Sequence, residues 1–187
     1  MNLKWAIIVM VICIWYICNY YTGQVAHAHP SGKIYFVNNN QSESEKTRKV
    51  ALLHELWVTT IRLFAELKTH GDPGVVRLLN KYKYREVQID ELPPSYTRVF
   101  AFNVNKGDRI SICLTKENKL NELIFVLIHE LAHGMTVAYS HDDAFWNNFR
   151  YLLRVAIQAG LYKNTDYNTT PVDFCKYAIN HNPINTG

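Results

Sequence analysis

The sequence predicts an α+β fold in which helices pack on a small β-hairpin, preceded by one N-terminal transmembrane helix. Three observations carry this expectation. Apolar residues recur at three- and four-residue steps through several stretches, the period of an amphipathic helix. Two alternating runs, "YTRVFAFNV" and "RISICLT", flank the turn Asn105-Lys-Gly-Asp108, as in a hairpin. The run "WAIIVMVICIWYICNYY", Trp5 to Tyr21, carries no charge and no helix breaker.

That apolar run is near the minimum for crossing a bilayer core, roughly 17–25 residues. Trp5 lies at one end and Tyr16, Tyr20 and Tyr21 toward the other, where amphipathic rings suit the interface. Lys4 precedes the run and no Lys or Arg follows until Lys33, which places the N-terminus in the cytosol and the bulk of the chain across the membrane. The expectation is a single-pass membrane protein with its folded domain on the extracytosolic or lumenal side. The alternative is a secreted chain, because "AHA" (Ala26 to Ala28) has the form of a signal-peptide cleavage site. The expected organisation is residues 1–22 as anchor or signal peptide, 23–41 as linker, and 42–187 as one folded domain.

Ser42-Glu-Ser-Glu45 has the form of a capping box. The helix it opens carries Val50, Leu53, Trp57, Ile61 and Phe64 on one side and ends near "HGDPG". Asp72-Pro73 starts a shorter helix with Val75, Leu78, Leu79 and Tyr82. Pro93-Pro94 closes that part, and the hairpin follows. Asn118 or Asn121 begins a third helix, with Leu120, Ile124, Leu127, Ile128 and Leu131 as its apolar side. A last long helix runs from about Asp143 to Ala159, with Gly160 as its stop. The tail reads as polar and mostly irregular.

At 187 residues and a formal net charge of +4, the chain is long enough for one core, and its modest basic excess does not demand a nucleic-acid partner. The basic cluster Arg77, Lys81, Lys83 and Arg85 reads as a solvated helix end. Cys13 and Cys18 lie in the apolar run. Cys113 and Cys175 are enough for one disulfide but not for a four-cysteine zinc ribbon.

The chemistry concentrates in "HELAHGMTVAYSHDDAFW", His129 to Trp146. His129 and His133 stand four apart on an expected helix, so both imidazoles leave one face. Glu130 between them is placed to act on a water at that face. This is the H-E-x-x-H arrangement, two ligands and a general base. The surrounding "LIFVLIHELAHGM" is strongly apolar, and burying unpaired polar groups in it is costly. A zinc ion supplies the missing partner. The stretch "HELWV" at His54 is an internal control, because Val58 stands where the second histidine would be.

The third ligand follows by elimination. No glutamate lies beyond Glu130, and position 139, where one zinc pattern requires histidine, is Tyr139. His141 is the best choice, just ahead of a helix that Asp142 or Asp143 caps and that Phe145 and Trp146 pin to the core. His181, in the tail, stays unassigned, and the aspartates Asp142, Asp143, Asp166 and Asp173 are the other candidates left. Three protein ligands leave zinc an open position, the mark of a catalytic site. Tyr139 has two readings, a second electrophile or packing. The hairpin likewise has two: a strand such as Arg109 to Thr115 pairing with an extended peptide, or a simple cover for the metal helix.

"HELAH" followed by a third histidine and "DDAFW" resembles the WLM and SprT-like zinc metallopeptidases. The similarity extends through "FAFNVNKGDRISICL" and through "FWNNFRYLLRVAIQAGLY" with "PVDFC", roughly Trp57 to Pro183, and is nearest to the WLM-like group of large DNA viruses and some algae. The resemblance implies a zincin-type α+β fold, hydrolysis of peptide or protein substrates, and Zn2+ on His129, His133 and His141 with Glu130 catalytic. The apolar N-terminal run adds the expectation of a membrane tether, in a host or virion membrane if the source is viral, and the chain is expected to be a monomer. Seven residues separate His133 from His141 where five are typical. The SprT-like zinc ribbon is absent. Two alternatives accompany this reading: a DNA-associated crosslink-repair protease, and a zinc-binding pseudoenzyme acting as an interaction module.

Overall fold

The computed structural model describes residues 4, 5, 7–11 and 23–185. The fold is α+β, as expected. Strands β1 (Gln24–Ala28) and β2 (Ile34–Asn38) lead into helices α1 (Glu43–Leu67) and α2 (Pro73–Lys81). Strands β3 (Ile89–Glu91), β4 (Ala101–Val104) and β5 (Arg109–Ile112) follow, then helices α3 (Leu120–Met135) and α4 (Asp143–Gln158), then β6 (Val172–Phe174) and β7 (Tyr177–Ile179). Helix α3 is central. It packs on α1, α2 and α4, and on strands β4 and β5.

Local signals account for most boundaries. The Ser42 hydroxyl accepts from the Glu45 amide at 3.2 Å and opens α1. Asp72 accepts from the Gly74 and Val75 amides and opens α2 ahead of Pro73. Helix α3 begins at Leu120, where the Glu122 carboxylate reaches back to the Lys119 amide at 3.1 Å. Asn118 instead holds the chain ahead of it, accepting from the Thr115 amide. Gly160, at φ 66°, ends the last helix in the left-handed region that glycine adopts without strain.

Two expectations about the N-terminus are corrected. Residues 23–41 are not a plain linker, because β1 and β2 pair there as an antiparallel hairpin. Two buried carboxylates of β3 fasten it. Asp90 accepts from the Phe36 amide and from Arg109 at 2.8 Å. Glu91 accepts from the Asn38 amide at 2.7 Å and from Lys49 at 2.5 Å. The single-pass membrane localisation, with its extracytosolic or lumenal catalytic domain, is also overturned. Among the described residues no helix is long and apolar enough to cross a membrane. Of the expected anchor, residues 1–3, 6 and 12–22 lie outside the described residues.

The tail is ordered by contacts the sequence did not announce. Strands β6 and β7 form a short antiparallel hairpin. Cys113 at the end of β5 is disulfide-bonded to Cys175 at the hairpin turn. Phe174 is fully buried and meets Phe100 edge-to-face at 5.9 Å.

Sheet order also corrects an expectation. Strand β5 is parallel to β3 and antiparallel to β4, so the order β3-β5-β4 puts it in the middle. Both its edges are taken, and it cannot receive a peptide by strand addition. The open edge beside α3 belongs to β4. The Cys113 amide donates to the Phe100 carbonyl at 2.8 Å, and antiparallel pairs alternate, so Ala101 and Asn103 turn their backbone groups to that edge.

Candidate metal centre

Helix α3 presents His129 and His133 one turn apart, with ring centroids 5.2 Å from each other. The loop after α3 brings His141 over the same point, 4.9 Å from each of those rings. One nitrogen from each imidazole falls within 4.8 Å of the others. The Nε2 atoms of His129 and His141 face each other at 3.1 Å. Two nitrogens on a tetrahedral zinc with bonds of about 2.0–2.1 Å sit roughly 3.3 Å apart. The donor set therefore fits that ion. The two helical histidines are also kept in the ligating form. Burial, with His133 and His141 alongside, pushes the His129 imidazole down to about 3. Burial, His141 and Lys106 push His133 down to about 4. Both are neutral at pH 7, with a lone pair to offer.

Glu130 lies beside them, only 5% exposed, and burial alone pushes its carboxyl up to about 8. Its backbone carbonyl accepts from the Asn103 side chain at 2.7 Å, which ties β4 to α3. The Asn103 Oδ1 atom is buried without a protein partner. These groups line an open cleft of about 310 Å3, bounded by β4 on one side and by Tyr139 and His141 on another.

The loop carrying His141 is fixed from both ends. Asp142 accepts from the Phe145 amide at 2.9 Å and caps α4, and Phe145 is fully buried against the three histidines. At the other end the Lys106 ammonium, from the β4–β5 turn, donates to the carbonyls of Thr136, Val137 and Ala138. Lys106 sits at φ 59°, and its ammonium lies 4.2 Å from the centre of the Tyr139 ring. Tyr139 is 80% exposed, so its ring is not core packing. Gly134 lets the helix end pack closely at this junction. A Cβ there would come within 2.7 Å of Leu78 and 3.3 Å of the Lys106 carbonyl.

The structure thus brings together His129, Glu130, His133 and His141. It keeps His181 apart, with its ring against Trp146 at 5.2 Å. The control histidine also lies apart. His54 stacks on His29 at 3.7 Å and meets the Tyr35 hydroxyl at 2.9 Å. Sequence reasoning missed Lys106 and Asn103. The only local signal for Lys106 was its place in the turn Asn105-Lys-Gly-Asp108.

The family model for the WLM domain matches residues 62–170, more than half of the chain. The chain belongs to the WLM family. WLM domains form a zinc-dependent metallopeptidase family, and the HELAH helix, the third histidine and α4 all fall inside the matched region. Uncharacterized protein R325 of Acanthamoeba polyphaga mimivirus is 26% identical over 161 residues, 80% of this chain and 78% of that one. Uncharacterized protein 136R of Invertebrate iridescent virus 6 is 31% identical over 100 residues, 49% of this chain and 52% of that one. Among solved structures, Wss1 from Saccharomyces cerevisiae is 29% identical over 44% of this WLM chain and 71% of its own, with a TM-score of 0.34. A Wss1 mutant is 20% identical, covering 66% and 90%, with a TM-score of 0.38.

Proposed function

We propose that this WLM protein hydrolyses peptide bonds with a zinc ion held by His129, His133 and His141 and with Glu130 as general base. One observation carries the reading: three imidazoles converge, within reach of one ion, beside a buried carboxyl in an open cleft. When bound, zinc supplies a Lewis acid that polarises a carbonyl and acidifies water.

The chain's own residues supply the rest. Glu130 takes a proton from the attacking water and passes it to the leaving amine. A carboxyl poised near the working pH suits both transfers. A nearby divalent charge favours its carboxylate form. The open edge of β4 holds an extended peptide through the backbone groups of Ala101 and Asn103. Asn103 Oδ1 adds an acceptor for a substrate N–H, which gives that buried atom a partner. Lys106 keeps the 136–139 loop, and with it His141, against the turn. The imidazoles of His129 and His133 stay unprotonated through the neutral range.

The test is metal analysis of the purified protein together with a peptide-library cleavage assay, with and without chelator. About one zinc per chain and cleavage abolished by chelator and restored by zinc are expected. Zinc-loaded protein that cleaves nothing would leave a binding module in place of an enzyme.

A further inference from the structure

A second, smaller cavity of about 130 Å3 adjoins the metal cleft, and His129 and Phe100 line both. Its floor is apolar and buried: Phe125, Val126 and Phe149 are at most 5% exposed. Trp146 forms a wall. The remaining side comes from the C-terminal hairpin and the residues after it, Ile179, Asn180 and His181. Asn180 and His181 are exposed, so the cavity has a polar rim over an apolar floor.

We propose that this cavity is a substrate subsite that receives an apolar side chain next to the scissile bond, and that the stapled C-terminal hairpin builds it. The proposal rests on the peptidase reading. Three features support it. Position is the first. Phe100 immediately precedes β4, so a peptide extended along that edge, with its carbonyl at the three histidines, sends one of its alternating side chains past Phe100 and beside His129. Chemistry is the second. No carboxylate, ammonium or guanidinium lines the cavity among the described residues, so a charged side chain would enter it unpaired and pay the full desolvation penalty. Size is the third. An apolar cavity of about 150 Å3 takes a benzene molecule. A space slightly smaller suits the isobutyl group of leucine or the thioether of methionine, and excludes an indole.

The hairpin holds Ile179 against the cavity through the Cys113–Cys175 bond and the Phe174 anchor. Trp146 joins the two sites, its ring 5.9 Å from His141 on one side and 5.2 Å from His181 on the other. Substrate selection and the third metal-ligand candidate therefore share one wall.

The experiment has a binding arm and a cleavage arm, both on the full chain loaded with zinc. Acetohydroxamate and 4-methylpentanohydroxamate chelate the metal alike and differ in the isobutyl extension. The longer probe binds at least tenfold more tightly, in keeping with the roughly 10–200-fold that one methylene decides in an apolar pocket. Ile179→Trp fills the cavity and brings the ratio toward one. Val126→Ala enlarges it and shifts the preference to 3-phenylpropanohydroxamate, which keeps the test open if the tryptophan variant does not fold. In the cleavage arm, peptides with Leu or Met at one position beside the scissile bond are cut at least tenfold faster than those with Asp, Lys or Trp there. Equal affinity for the two hydroxamates in the wild-type protein would overturn the subsite. An intact affinity ratio with no cleavage of any peptide would support the subsite and sink the peptidase reading instead.

Discussion

Replacing Glu130 with glutamine tests the electrostatics of the centre before any metal is added. Burial raises the Glu130 carboxyl to about 8, against an ordinary value of 4.5. The folded, metal-free protein therefore keeps its proton longer than the unfolded chain. A group shifted upward in this way contributes stability that is fully present below the unfolded value and is lost as pH rises through the folded one. Between about pH 5 and pH 7.5 the loss is about 1.4 kcal/mol per pH unit, or about 3 kcal/mol in all. Glutamine does not titrate. Whatever its amide costs in that site is the same at both pH values, and His129 and His133 are common to both proteins. Urea denaturation of the metal-free wild type and Glu130→Gln at the two pH values isolates the difference. The wild type loses about 3 kcal/mol relative to the variant on going to the higher pH. Parallel pH profiles would mean that the Glu130 carboxylate is well solvated, and the account of a poised base would fail.

Other outcomes follow from the same contacts. His129→Ala, His133→Ala and His141→Ala each lose the bound zinc, whereas His54→Ala keeps it; loss in the His54 variant with retention in the His141 variant would reassign the ligands. Lys106→Ala releases three loop carbonyls and weakens zinc binding by roughly tenfold, the scale of losing a group that orients a ligand; chelator competition measures it, and unchanged affinity would show that α4 alone positions His141. Cys175→Ser removes a cross-link between residues 62 apart in sequence and costs about 4 kcal/mol by the loop-entropy estimate. A thermal melt with and without reductant reads this directly, and coincident melts would contradict the docked hairpin.

Features with local causes were legible in the sequence. The caps at Ser42, Asp72 and Asp142, the turn at Gly107 and the helical spacing of His129 and His133 each depend on residues within four positions of one another. His141 was legible because a capped helix had to follow it. What the sequence hid is non-local. Strand β3 gives no signal of its own in the sequence, because the groups that satisfy Asp90 and Glu91 lie about fifty residues earlier, at Phe36 and Asn38. The β1–β2 hairpin looked like a linker for the same reason. The two readings of strand β5, peptide edge or simple cover, stayed open because pairing order depends on β3, which periodicity does not reveal. In the tail, three-residue strands are too short for alternation to register, and the Cys113–Cys175 pairing that orders them spans the two final helices. Hydropathy alone suggested a membrane span at the N-terminus, a reading that the described helices do not bear out.

The central claim is that Glu130 acts on water beside a zinc ion held by three histidines. Turnover of one peptide by wild-type and Glu130→Gln protein at matched zinc occupancy tests it most directly. The variant keeps the shape of the site and all three imidazoles but cannot accept a proton, so kcat falls by roughly 10²–10⁴ while zinc stays bound. Undiminished kcat at full occupancy would contradict the mechanism.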